Sequence, residues 1–231
     1  MEKYINNNQN YEELQKKYKN NKRLIVDNIL LKDYAELVYK YLIKIPKEKW
    51  ELCIVYNNNQ KYENYDNEKN KKININVINK ANYSFEKNEF SFRFYKILNT
   101  KNTLNFVEYN LKKIFSSDEF IDFLNYITNE ELIKLNDIFI SKYSKDCFLG
   151  PHCDKQNGKI AVTIYLNKHW KPQFGGNLCF LNEKRDKIIE TITPHFNSMA
   201  LFNIPQLTGI PHFVSHNNSN KSRYTLTMWY S

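Results

Sequence analysis

Glycine and proline are scarce in this chain, five and six in 231 residues, and long apolar runs are missing altogether. Nothing approaches the roughly 18 consecutive apolar residues of a membrane-crossing helix, and the N-terminus lacks the short apolar stretch of a secretory leader. The four cysteines, Cys53, Cys147, Cys153 and Cys179, show neither a CxxC pair nor the density of a disulfide framework. These absences predict a cytoplasmic protein with reduced thiols and no membrane partner. An internal repeat and a continuous arginine-rich stripe are missing too. The formal charge of +9 invites a nucleic-acid or acidic partner. The lysines, however, are scattered through the first 115 residues among Asn and Glu, so the charge reads as a solvated, compositionally biased surface. Nucleic acid is not expected as a partner.

What is present is the 42% apolar and 15% aromatic content of a folded protein, in a chain long enough to bury a substantial core. Abundant Asn, Lys, Ile and Tyr suggest an AT-rich coding bias, so the asparagine runs carry little functional weight. Residues 1–22 are polar and read as a flexible tail. Residues 23–231 are expected to form a single domain, with helices and strands in 23–132 supporting a β core in 133–231. In the supporting part, Asp33 is placed to cap a helix with apolar positions Leu37, Val38, Tyr41 and Leu42, and Pro46 lies just beyond its end. "WELCIVY" and "FSFRFYKI" read as strands, the second alternating Phe90, Phe92 and Phe94 against Ser91, Arg93 and Tyr95. "LNFVEYNLKKIF" and "SSDEFIDFLNYITN" read as helices, the latter capped by Ser116 or Ser117. Residues 57–72 read as an exposed loop. After residue 133 about eight short strands with turns between them suggest a sandwich or barrel, with the helices buttressing one face.

The chemistry concentrates in "GPHCDKQNGKIAVTIYLNKHW". Strand residues i and i+2 share a face, so His152 and Asp154 point together and Cys153 points away. Such a pair suits two ligands of one metal and equally two surface residues; His-x-Asp alone is weak. Near the C-terminus His212 opens a short extended run, and His216 competes with it as a third ligand. Arg223 begins the last strand, sharing a face with Thr225, Thr227 and Trp229. A buried guanidinium is costly unless it meets an anion, and its fork matches a carboxylate. Two histidines and one carboxylate are the facial ligand set of non-haem Fe(II) oxygenases, and the absence of thiolates from the set argues against structural zinc.

"HCD", "IYLNKHWKPQFGGNLCFLNE", "PHFVSH" and "SRYTLTMWY" together resemble the 2-oxoglutarate- and Fe(II)-dependent dioxygenases, and within them the prolyl 4-hydroxylase-like branch that includes hypoxia-sensing and ribosomal-protein prolyl hydroxylases. The similarity runs over residues 140–231 and more loosely over the "FSFRFY" and "SSDEFIDFLNYITN" segments. It implies a double-stranded β-helix, a jelly-roll core preceded by N-terminal helices, in a mainly β (α+β) fold. It assigns iron to His152, Asp154 and His212, and the distal carboxylate of 2-oxoglutarate to Arg223. Tyr165 and Tyr143 match tyrosines of the family's co-substrate pocket, and Thr163 and Thr225 line it. His216 is then a residue of the lip or of the outer shell. Lys159 aligns with a substrate-facing basic position, although an exposed turn lysine is the plainer reading. Trp229 either closes the pocket, touches substrate or fills core, while His169 and His195 read as surface histidines.

The implied activity is hydroxylation of a prolyl residue in a protein or peptide, peptidyl-proline 4-dioxygenase-like, with O2 consumed, succinate and CO2 released, and ascorbate as a stimulant. A lysyl residue, a free amino acid or a small metabolite is the alternative acceptor. Nucleic-acid demethylation is less favoured because no further arginine follows Arg223, and a non-catalytic module would be expected to lose a ligand. Residues 57–82 and 167–175 are the loops expected to recognise substrate.

Overall fold

The computed structural model describes residues 4–57, 63–65, 71–97, 105–155, 157–205 and 209–231, with side chains left undescribed at 63–65 and 71–74. All eight strands expected after residue 133 form: β5 (Leu135–Tyr143), β6 (Phe148–His152), β7 (Ile160–Tyr165), β8 (Leu178–Leu181), β9 (Ile188–Ile192), β10 (Ser198–Asn203), β11 (His212–Val214) and β12 (Arg223–Tyr230). Four more precede them: β1 (Arg23–Asp27), β2 (Trp50–Val55), β3 (Glu63–Tyr65) and β4 (Phe92–Ile97). The described strands join one sheet in the order β1-β10-β7-β12-β5-β4-β6-β11-β8-β9, with β2 on β4 and β3 on β2, and every ladder is antiparallel. The sheet curls until its two ends meet. Arg23 of β1 pairs with Glu190 of β9, and Phe180 of β8 meets Phe202 of β10 with ring centroids 5.2 Å apart. The result is the jelly-roll, double-stranded β-helix architecture.

The middle strands are covered on both faces, which explains their continuous apolar runs. In β7, Ile160, Val162 and Ile164 face outward into an apolar layer shared with the helices, whereas Ala161, Thr163 and Tyr165 face the barrel interior. β12 divides the same way, with Leu226, Met228 and Tyr230 toward the helices. Against this outer face lie α1 (Tyr11–Asn21), α2 (Lys32–Leu42), α4 (Phe106–Phe115) and α5 (Asp118–Thr128). Each fully buried Leu, Ile or Phe in that layer contributes about 1.5–3 kcal/mol. Local signals set the helix ends. Ser117 caps α5 through Phe120 N, and Asn105 with Glu108 forms a capping box on α4.

Three expectations need correction. The polar stretch 1–22 is not a loose tail throughout: from Tyr11 it is α1, capped by Asn10, with Leu14 and Tyr18 buried and Tyr11 against Phe123 of α5. Two apolar residues one turn apart suffice to dock an otherwise polar helix. Asp33 is not a cap; Leu31 occupies that position without a side-chain bond, and Asp33 complements the dipole in the first turn. Within 57–82, residues 58–62 and 66–70 lie outside the described residues, but 71–86 is helix α3 (Lys71–Glu86), packed through Val77 and Ala81 on Ile54 and Phe148. No helix of the described residues is long and apolar enough to cross a membrane.

Candidate metal centre and its pocket

His152 ends β6 and His212 begins β11, and the two are direct partners across that ladder. Their rings approach to 4.3 Å between centroids. Asp154, two residues beyond the end of β6, brings Oδ1 to 3.3 Å from His152 Nε2 and Oδ2 to 3.6 Å from His212 Nε2. One ligand atom from each of the three lies within 4.8 Å of the others, the cluster expected from a shared ion. The opposite ring nitrogens face backbone carbonyls, His152 Nδ1 at 3.0 Å from Gly150 O and His212 Nδ1 at 2.8 Å from Ile210 O. A carbonyl only accepts, so both Nδ1 atoms carry the proton and both Nε2 atoms present lone pairs. Gly150 is required for this placement, since a Cβ there would stand 2.6 Å from Ser91 O, just ahead of the neighbouring β4.

Electrostatics favour the ligand forms. Burial alone would raise the Asp154 carboxyl, but the neighbouring His152 and His212 rings and the Trp229 indole overcome it and hold the group down at about 2. Burial, reinforced by His152 and opposed by Asp154, pushes His212 down to about 4. The first is thus an anion and the second neutral at neutral pH.

Arg223 lies deeper in the same cavity, only 2% exposed. Its guanidinium sits 4.7 Å from the Tyr143 ring centroid and 5.2 Å from that of Tyr165. Among the described residues no carboxylate pairs with it, and its Nε has no hydrogen-bond partner. The Tyr165 hydroxyl and Thr225 Oγ1 are buried without partners as well. Burial pushes the Tyr165 phenol up to about 12 despite the nearby guanidinium. A cation and two hydroxyls orphaned on one wall each cost about 1–3 kcal/mol, and an incoming carboxylate would satisfy them together. The Gly-Gly turn makes room for the arginine: Gly176, at φ +64°, lies against it so closely that a Cβ would meet Arg223 Cδ at 2.9 Å.

The cavity measures about 920 Å³, and His152, Asp154, His212, Arg223, Tyr143, Tyr165, Thr163 and Thr225 all line it. The sequence reading missed its other wall. Phe90, Phe92 and Phe94 of the β4 segment, with Phe139 of β5, form an aromatic face running to Trp229. The alternation of the three phenylalanines was visible, but nothing local said that their face was the barrel interior. Trp229 donates from Nε1 to Asp154 Oδ2 at 3.1 Å.

Other assignments change. Cys153 does not turn away; it lines the cavity, with Arg185 Nη2 3.6 Å from its sulfur. His216 is outside the cavity, wedged against Phe148 (4.4 Å) and Phe85 (4.7 Å), because β11 ends at Val214 and the strand parity linking it to His212 is lost. Lys159 donates to Glu131 O and takes no place in the cavity. The 167–175 segment is held by hydrogen bonds, and none of its residues lines the cavity. Asn167 bonds Pro194 O and Tyr224 N, and Trp170 donates to Gly175 O.

This fold and ligand set define a jelly-roll protein with a two-histidine, one-carboxylate centre. Residues 138–231 match the family profile "2OG-Fe(II) oxygenase superfamily". Iron is the superfamily's metal and 2-oxoglutarate and O2 its co-substrates; His152, Asp154 and His212 fit the iron, as the pooled donor geometry shows. Among curated proteins the chain is similar to prolyl 3-hydroxylase OGFOD1 of Xenopus laevis, 29% identical over 119 residues. That match takes in 49% of this chain and 23% of the relative, so the chain spans less than a quarter of the relative's length. Among solved structures it resembles a Pseudomonas putida prolyl-4-hydroxylase (TM-score 0.60, 12% identity, 95% of this chain and 97% of that one). It also resembles a Trichoplax adhaerens prolyl hydroxylase in complex with a hypoxia inducible factor peptide (TM-score 0.59, 16% identity, 95% and 88%). The architecture is prolyl-4-hydroxylase-like.

Proposed function

We propose that the chain is an Fe(II)- and 2-oxoglutarate-dependent dioxygenase that hydroxylates a prolyl residue in a protein or peptide. The observation that carries this is the buried guanidinium of Arg223, its Nε without a hydrogen-bond partner and no carboxylate beside it among the described residues, facing the same cavity as the His152–Asp154–His212 cluster. Bound iron supplies the redox chemistry in which one O2 and one 2-oxoglutarate give succinate, CO2 and one hydroxyl on a C–H carbon. His152, Asp154 and His212 hold the metal. Arg223 receives the distal carboxylate of 2-oxoglutarate, and the Tyr165 and Thr225 hydroxyls add donors to it. The aromatic wall offers ring faces against which a pyrrolidine packs, as aromatic-lined grooves take proline segments elsewhere, and keeps water from the reacting carbon. The names of the similar proteins support the prolyl acceptor, and four free thiols fit a reducing compartment such as the cytoplasm.

The test is succinate release and mass spectrometry with Fe(II), 2-oxoglutarate and proline-containing peptides. Turnover stimulated by the peptides, with one oxygen added at proline, is the expected result. The isomer of hydroxyproline formed gives the position of attack. Oxygen transfer to lysyl peptides, free amino acids or methylated oligonucleotides, with prolyl peptides inert, sinks the prolyl reading and leaves the oxygenase reading standing.

A further inference from the structure

Asp154 is held by something other than its fellow ligands. Among the described residues the hydrogen-bond donor to its carboxylate is Trp229 Nε1, at 3.1 Å from Oδ2, while the two imidazole Nε2 atoms beside it present lone pairs. The bond is buried at the carboxylate end, where Asp154 is 8% exposed. The indole is itself braced. Its ring rests on Phe139 at 5.6 Å between centroids, and the Lys96 ammonium sits 4.3 Å from the centre of that phenyl. Trp229 also belongs to β12, paired with Ala161 on one side and Asp137 on the other. Its N–H is thus delivered from a strand paired on both sides, whereas Asp154 stands in irregular chain beyond the end of β6.

The torsion that turns an aspartate carboxylate has broad, roughly two-fold preferences and does not choose a plane for itself. A ligand that must leave neighbouring metal positions open needs that plane fixed. The histidines have their backbone carbonyls for this purpose, and Asp154 has the indole. We propose that Trp229 is a positioning residue whose N–H sets the orientation of the Asp154 carboxylate for metal binding. The inference rests on the metal reading of the site given above.

Trp229→Phe keeps a buried ring on Phe139 and removes the donor. Loss of a partner that orients a ligand typically weakens metal binding about 10- to 100-fold. The metal-free protein is titrated with Mn(II), following free Mn(II) by electron paramagnetic resonance, and the Co(II) form is examined for its visible absorption bands. The expected result is a 10- to 100-fold weaker Mn(II) affinity and altered Co(II) bands, with the melting temperature of the metal-free protein close to wild type. A purely structural tryptophan would move the melting temperature and leave the affinity and the bands alone. Should the variant not fold, the wild-type Trp229 indole N–H resonance decides: it should exchange slowly with solvent and shift when Zn(II) is added. Fast exchange with no shift overturns the proposal, as does a folded variant that binds Mn(II) as wild type does. A wild type that binds no Mn(II) overturns the metal reading together with this one.

Discussion

Replacing Arg223 by methionine separates a ligand anchor from a structural residue. Met matches much of the stem, and it removes a charge that has no carboxylate partner among the described residues. Among the described residues the guanidinium rests against two tyrosine rings, at 4.7 and 5.2 Å from their centroids. Exchanging a buried charge for a well-packed apolar side chain is often neutral or stabilising, so the ligand-free variant should melt at or above the wild-type temperature. With 2-oxoglutarate the order reverses. A ligand at 100 times its Kd stabilises by about 2.7 kcal/mol, which in a chain of this size raises Tm by about 5–10 °C. Removing one partner of a buried charged pair costs about 2–5 kcal/mol, or roughly 30-fold to several thousandfold in affinity. The same 2-oxoglutarate concentration then stabilises the variant by less than about 1 kcal/mol, a shift below about 3 °C. Thermal melts of both proteins with Mn(II), with and without 2-oxoglutarate, read all four numbers. A variant that keeps the wild-type shift refutes the anchor. A variant that loses stability without ligand and keeps its ligand response would make Arg223 a packing residue.

Other substitutions test neighbouring steps. Gly176→Ala puts a Cβ at φ +64° against Arg223 Cδ, so it should lower Tm through about 1–2 kcal/mol of backbone strain and weaken 2-oxoglutarate binding by displacing the guanidinium. Tyr165→Phe removes a buried hydroxyl that is left unsatisfied, so it should keep or raise the ligand-free melting temperature and weaken 2-oxoglutarate about 3- to 10-fold in a calorimetric titration; a lower ligand-free melt would refute the orphaned hydroxyl. His216→Ala should cost about 1–2 kcal/mol in denaturant unfolding by emptying the space between Phe148 and Phe85, with Mn(II) affinity unaltered; a lost metal would return His216 to the ligand set. Lys142, over the rings of Trp50 and Tyr95, is pushed down by burial to about 8 from its ordinary 10.5. Between those values the unfolded chain holds the extra proton, so this group makes stability rise with pH from about 8 to 10.5. Burial raises Cys53 and Cys147 to about 11, which works in the opposite sense, so the measurement is the wild-type pH profile minus that of Lys142→Met. No difference between the two profiles would refute it.

The residues that could be read from sequence are those whose local pattern already contained the constraint. The period of two put His152 beside Asp154 and put Arg223, Thr225, Thr227 and Trp229 on one face, because a strand needs no tertiary knowledge to alternate. The eight strands after residue 133 were legible for the same reason, as were the caps at Ser117 and the helix over 118–128. Failure came where the partner was distant. "RLIVD" holds three apolar residues in a row, and only pairing with β10 makes it a strand with Leu24 and Val26 buried and Ile25 exposed. Residues 11–21 look polar until α5 supplies a surface for Tyr11, Leu14 and Tyr18. The Phe90–Phe92–Phe94 row declared a buried face and not which interior it faced. The parity that made His216 a competitor to His212 holds only while the strand lasts, and β11 ends at Val214.

Both the core and the candidate site hang on the register of the two central strands. In β7 and β12 alternate residues serve different masters: Val162, Ile164, Leu226 and Met228 fill the layer under the helices, while Thr163, Tyr165, Arg223 and Thr225 face the cavity. A slip of one residue would drive the guanidinium into the apolar layer and turn Leu226 and Met228 toward the metal ligands. Burying that charge without a partner would cost several kcal/mol, on top of the transfer energy of the exposed apolar side chains. The register is accordingly held from both sides. β5 pairs Arg223 with Tyr143, β7 pairs Thr225 with Tyr165, and Lys159 N donates to Tyr230 O at the far end. The same alternation that stabilises the sheet therefore aims the arginine, and the chain cannot lose the one without disturbing the other.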